Sequence, residues 1–425
     1  MLLLVGLVIE RIHGNHPFGL HTIVAMGGLL GIAILFAASR RFYRVRPETV
    51  QRTWMVLLSG AVAYAVSDLV GGMVLIQPVA FLSDSVVDHR MAPNTVSTVR
   101  GPDFVYRLRS NNLGFRGRDV APEKSPESFR IITLGDSFTM GEGVEDGETF
   151  SALLEARLRE RPSGVCGRSK VEVLNAGVDS YSPLLSWLQF KNQLAPVPAD
   201  MVVLNLDMSD LLQEQWYRRG ATRDSAGTIT GVIPPDLRRG SEASGLKVRV
   251  RRWIDRHLVL TRWILAKLTG AESEQAAILD RVNRQLLLHT LASDTVDRRA
   301  QWRDLFESID SIKHYADARS MRFLLTTYPW GHQVSDKEWV LGRKGFFGPG
   351  ETASDRTEKT IGAMAALRGM DLLDAFPAFQ SFRGPPLYYS YDMHWTRRGQ
   401  ALMAQLLETR ILELCAGTPG KVLSD

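Results

Sequence analysis

Two short stretches of the chain carry the residue types of nucleophilic acyl chemistry. The first, Gly135-Asp136-Ser137-Phe138-Thr139-Met140-Gly141, directly follows an apolar, β-branched run. A serine where a strand gives way to a helix stands at the carboxyl edge of a sheet, where ligands bind in α/β folds. Its N–H also lies near a helix N-terminus, which favours a developing oxyanion. A helix-capping Ser or Asp leaves the same letters, so the tripeptide alone decides little. The second stretch is Tyr391-Asp392-Met393-His394-Trp395-Thr396-Arg397-Arg398-Gly399. Here a carboxylate and an imidazole stand two residues apart, just before a helix. If the Asp392 side chain folds back onto the ring, it fixes the tautomer and leaves the other nitrogen facing a nucleophile. His394 follows the last expected strand and so reaches the same sheet edge as Ser137.

The elements that must hold these residues show as an alternation of short apolar runs and helical patterns. Strands are expected at 129–134, 171–174, 201–206, 322–326 and 371–373. Helices are expected between them, as at 149–160 and 298–319, with a last one over 398–414. Such alternation predicts a parallel sheet covered on both faces. Residues 83–128 are rich in Pro, Asn and Gly and read as a connector plus an edge segment. The stretch 207–297 is too long for a plain crossover and is expected to hold an insertion.

The order of four short motifs resembles the SGNH (GDSL-type) hydrolases: GDSFTMG, then Asn175-Ala176-Gly177-Val178, then Asp207-Met208-Ser209-Asp210, then DMHW. The upstream Asn112-Leu113-Gly114-Phe115-Arg116-Gly117 is similar to membrane-anchored bacterial members. The Asp-x-His-Trp ending resembles polysaccharide O-acetyltransferases of alginate-type systems. The resemblance covers about residues 105–415 and implies a flavodoxin-like, doubly wound parallel sheet with strand order 2-1-3-4-5. It implies Ser137 as nucleophile, His394 as general base and Asp392 as the group that orients it. It implies an oxyanion hole from the N–H groups of Ser137 and Gly177 and a side chain in the third block. Ser209 stands there in place of the family's usual Asn, and losing one such donor costs about 2.7–4 kcal/mol. This departure motivates one alternative, a catalytically weakened glycan-binding or scaffold subunit. Polysaccharide O-acetyltransferase is the other alternative to ester hydrolysis. The same sheet order places the ends of the first and last helices side by side at the edge away from the site. A Cys166–Cys415 disulfide is therefore expected.

The amino-terminal part reads differently. Residues 18–38 are apolar except for His21 and Thr22, and residues 54–76 are interrupted only by Ser59, Ser67 and Asp68. Each run is long enough for the ~20 residues that span a bilayer core. Between them lie Arg40, Arg41, Arg44, Arg46 and Arg52 against Glu48. The positive-inside rule puts that loop in the cytoplasm and everything after the second run outside. The expected organisation is an anchor over 1–82, the connector, and a catalytic domain over 129–416. The expected location is the bacterial inner membrane, with the domain periplasmic or extracellular. Expected partners are an acylated glycan or other ester substrate, the membrane, and a membrane-protein neighbour.

Charge and composition narrow the alternatives. The chain of 425 residues carries a formal +5. Residues 236–268 hold nine Lys/Arg against three acids, so the excess is local and does not suggest a nucleic-acid-binding surface. Within that segment, 246–268 has helical spacing with Trp253 and Trp263 on its apolar side, which suits an anionic membrane or an acidic glycan. There is no Gly-x-Ser-x-Gly elbow, P-loop, dinucleotide fingerprint or clustered metal-ligand motif. No cofactor or metal is expected.

Overall fold

A computed structural model describes residues 48, 52, 54–60, 62–64, 66–67, 81–234, 284–348 and 350–417. The expected span 18–38, Asp68 and the basic helix 246–268 lie outside these residues. The described part of 54–76 is helical, and among the described residues no helix is long and apolar enough to cross a membrane. The chain divides into two units, 1–77 with 241–276 and 78–240 with 277–425. All that follows concerns the second.

That unit opens with two antiparallel hairpins. The first pairs β1 (Phe81–Asp84) with β2 (Asp88–Met91), and the second pairs β3 (Val96–Arg100) with β4 (Val105–Arg109). The central parallel sheet follows, built from β5 (Ser128–Leu134), β6 (Lys170–Asn175), β7 (Met201–Leu206), β10 (Arg322–Thr327) and β11 (Leu372–Asp374). A short hairpin of β8 (Ala221–Arg223) and β9 (Ile229–Val232) lies between β7 and β10 in the chain. The sheet order is β6-β5-β7-β10-β11. Ile131 pairs with Val173 on one side of β5, and Ile132 pairs with Val202 on the other. Every residue of β5 and β7 is buried, as in strands covered on both faces, including the polar Ser128, Arg130, Thr133 and Asn205.

Strand order reverses at β5: the chain moves outward to β6 and then back past β5 to β7. Right-handed crossovers then place the helix before the reversal on one face and those after it on the other. In line with this, α2 (Phe150–Arg159) packs against α7 (Arg397–Cys415). The helices α3 (Pro183–Asn192), α4 (Asp210–Arg219) and α5 (Arg299–Asp317) pack among themselves, and α6 (Arg356–Leu367) bridges β10 and β11. A single four-residue helix, α1 (Ser137–Met140), follows β5. Cys166, beyond the end of α2, and Cys415, the last residue of α7, form a disulfide with Cα atoms 4.9 Å apart.

The segment 83–128 is more ordered than a connector. Met91, Tyr106 and Leu108 from the two hairpins pack with Met140 in a small core of their own. It meets the sheet edge through a bridge from Arg116 to Asn175 on β6 and through Glu127 O, which accepts from Lys170 N–H at 3.0 Å.

Candidate active site

Ser137 owes its position to the turn at the end of β5. Gly135 has φ +147°, and a Cβ there would lie 2.8 Å from Asn205 O and would also clash with the Thr139 hydroxyl, so only glycine fits. Asp136 caps α1, its carboxylate accepting from Phe138 N–H at 2.9 Å. Gly141, in the left-handed region at φ +86°, ends the helix, and Glu142 N–H closes back onto Ser137 O at 2.9 Å. Gly177 is needed for close approach, since a Cβ there would press into the Thr139–Met140 backbone.

The loop 387–396 brings the second motif to the same edge. Asp392 Oδ1 accepts from His394 N–H at 2.9 Å and stands 2.6 Å from His394 Nδ1. With a single residue between them, the carboxylate folds back as an Asx turn and serves the backbone and ring of the same histidine. His394 Nε2 lies 2.7 Å from Ser137 Oγ. The three side chains therefore form one hydrogen-bonded series, and both Ser137 and His394 are buried. Phe138 packs on the imidazole with ring centres 4.7 Å apart, and the fully buried Trp395 packs on Phe138 and Tyr328.

The environment is strongly anionic. Burial opposes the His394 imidazolium, but Asp392, Glu142 and Asp136 outweigh it and push the pKa up to about 10. Asp392 is held below the usual carboxylate range: burial works against this, and His394 prevails. Burial, reinforced by Asp179 and Asp392, pushes Glu142 up to about 7.

The structure does not place all three expected oxyanion donors alike. Among the described residues, no group accepts from Ser137 N–H. Gly177 N–H donates to Asn175 Oδ1 at 3.1 Å. Ser209 is engaged elsewhere in this structure: its N–H and its hydroxyl both donate to Asp207 Oδ2. The adjacent carboxylate captures it because the two residues share one turn.

Four further residues support the site and were not singled out for it from sequence. The Asp103 carboxylate accepts from Tyr391 N–H and Asp392 N–H, each at 2.7 Å, and Trp339 Nε1 donates to Tyr391 O at 2.8 Å. Arg116 is almost fully buried; its guanidinium donates to Asp146 Oδ1 at 2.9 Å and to the carbonyls of Arg107, Met140, Gly141 and Val144. Glu142 Oε2 lies 3.7 Å from His394 Nε2. Arg116 sits within a stretch the motifs had marked; the others carry no local signal. A cavity of about 470 Å³ beside Arg109, Arg118 and Glu155 contains no side chain of the series, so the chemistry is assigned by geometry and not by cavity size. Among the described residues, no cluster of His, Cys, Asp and Glu is arranged to hold a metal ion.

No family model matches the chain, and no curated protein does. Solved structures similar to it include an acetylxylan esterase from Geobacillus stearothermophilus, at 10% identity over 67% of this chain and 94% of that one, with a TM-score of 0.34. A lipase/acylhydrolase from Enterococcus faecalis matches at 12% identity over 69% of this chain and 98% of that one, with a TM-score of 0.36. Another acetyl xylan esterase matches at 12% identity over 66% of this chain and 98% of that one, with a TM-score of 0.35.

Proposed function

We propose that this chain is a membrane-anchored serine esterase of the SGNH (GDSL-type) kind, removing acyl groups, O-acetyl above all, from cell-envelope or exported glycans. One observation carries the reading: the unbroken series Asp392–His394–Ser137 at the carboxyl edge of the sheet, beside the strand where the order reverses. Neutral His394 takes the Ser137 hydroxyl proton on Nε2 as Oγ attacks the ester carbonyl carbon. The imidazolium, held by Asp392, then gives that proton to the leaving alcohol oxygen as the C–O bond breaks, which leaves acyl-Ser137. Water next loses a proton to Nε2, attacks the acyl carbon, and Ser137 leaves with the proton. Transfer to a sugar hydroxyl differs only in the identity of that last nucleophile.

Ser137 N–H is the donor open to the oxyanion. Gly177 and Ser209 contribute only if they exchange Asn175 and Asp207 for it. Those committed donors favour a second reading, a slow enzyme serving mainly as a glycan-binding or scaffold subunit. The anchor rests on the two apolar runs and the arginine-rich loop. The disulfide suits the oxidising side of the membrane. A membrane-protein neighbour belongs to the same reading.

The test uses the full-length protein in detergent. A fluorophosphonate probe should label it at Ser137, and a small acetyl ester should be hydrolysed. Ser137→Ala should lose both while the protein stays folded. Labelling without turnover would favour the binding subunit, and undiminished turnover in Ser137→Ala would overturn the serine mechanism.

A further inference from the structure

Glu142 has no part in the series just described, yet the fold brings it there. The left-handed turn at Gly141 and the bond from Glu142 N–H to Ser137 O return the chain over the first residue of α1. The carboxylate then lies 3.7 Å from His394 Nε2, with its side chain 24% exposed. Among the described residues, nothing donates a hydrogen bond to it. The other carboxylates that act on His394 are already occupied: Asp136 caps α1, and Asp392 holds the ring and backbone of His394. Asp179 bears on Glu142 with the same sign of charge. Arg116 opposes them, but its guanidinium is bonded to Asp146 and four carbonyls. Glu142 is thus a partly desolvated carboxylate that pairs at 3.7 Å with His394 when the ring is protonated, yet among the described residues accepts no hydrogen bond, on the side of the imidazole that serves Ser137.

That side has a defined chemical identity, given the serine mechanism proposed above. Nε2 must deliver its proton to the leaving alcohol oxygen and take one from the incoming nucleophile. The alcohol half of the ester therefore passes beside Nε2, and so beside Glu142. A hydroxyl on the carbon next to the ester oxygen comes within reach of the carboxylate. We infer that Glu142 is the alcohol-side specificity residue, accepting a hydrogen bond from the neighbouring hydroxyl of a vicinal diol, as on a partly acylated sugar ring. An alcohol without that hydroxyl leaves the carboxylate facing an apolar group, at the cost of an unpaired partly buried charge.

The test compares two esters that differ in one methyl group, 2-hydroxyethyl acetate and 2-methoxyethyl acetate, with p-nitrophenyl acetate as a reference lacking the hydroxyl. The full-length protein should prefer the hydroxy ester in kcat/KM by about tenfold or more, the range of a charge-assisted hydrogen bond. The preference should approach unity in Glu142→Ala, persist in part in Glu142→Gln, and weaken as pH falls below about 7, where Glu142 takes up a proton. Equal kcat/KM for the two alkyl esters in the unmodified protein overturns the inference whatever the variants do. If p-nitrophenyl acetate is still hydrolysed in that case, the serine mechanism stands without it. If no ester is turned over and Ser137 does not label, the mechanism itself falls and takes the inference with it.

Discussion

His394 can act as a base only after losing a proton that three carboxylates help it keep. Against the effect of burial, Asp392, Glu142 and Asp136 raise its pKa to about 10, so at neutral pH the imidazolium prevails. Esterase kcat/KM should therefore climb about tenfold per pH unit from pH 7 and level off near 10. Asp392→Asn should move that rise to lower pH, because a charge favouring the imidazolium is gone. It should also lower the plateau by roughly 10⁴, the effect of losing the tautomer lock in such a series. A pH–rate profile of both proteins checks the two effects together. The same shift adds folding stability that is fully present below about pH 6.5, the ordinary histidine value, and is lost as pH rises through about 10. At this scale the sequence was readable where chemistry is local. Asp392 and His394 meet across one intervening residue, and Ser137 lies on a turn that Gly135 announces. For Ser209 the residue type shows that a hydroxyl exists but not where its proton goes; here Asp207, two residues earlier, takes it. Glu142 and Asp103 could not be found from the letters, since each meets its partner only after the whole sheet has formed.

Between residue and molecule, the turn from β5 into α1 holds the nucleophile by sterics. Gly135→Ala puts a Cβ 2.8 Å from Asn205 O and forces a left-handed φ on alanine. The expected cost is about 1–3 kcal/mol of stability, read by urea unfolding, with a larger proportional fall in kcat because Ser137 is two residues away. The helix after His394 gives a second constraint. Gln400 on α7, completely buried, accepts from Phe150 N–H at 2.7 Å and reaches Phe138 O at 3.4 Å, so one side chain ties the base-bearing loop to the residue next to the nucleophile. The central sheet strands were legible because burial on both faces favours apolar runs, and the partly buried edge strands β6 and β11 because short apolar stretches still alternate with helical patterns. Each matches its expected span to within one residue at either end. The hairpins were not legible: β4 alternates buried Tyr106 and Leu108 with exposed Val105, Arg107 and Arg109, a polar-looking stretch among turn residues. Arg116 shows what that region does, bracing the loop after α1 from beneath.

Across the whole unit, the link between α2 and α7 joins opposite ends of the fold. Glu408 on α7 pairs with Arg157 at 2.6 Å and also with Arg161, and the Cys166–Cys415 bridge lies beyond it. The chain-entropy account gives such a long loop about 5.5 kcal/mol, so a Cys166→Ser/Cys415→Ser variant should unfold at clearly lower urea, with the loss at or below that size. Reducing agent should reproduce the shift in the unmodified protein and leave the double variant unchanged. The pairing could be expected because strand order dictates which helices are neighbours. The apolar runs at 18–38 and 54–76 rest on length and charge alone. The bridge has one more consequence, concerning connectivity and not energy. Residues 166 to 415 form a closed covalent circuit that carries Asp392 and His394, whereas Ser137 sits on the strand of chain leading into it. A single peptide-bond cut within the circuit opens it without dividing the molecule, so nucleophile and base remain parts of one covalent species until the sulfurs are also parted.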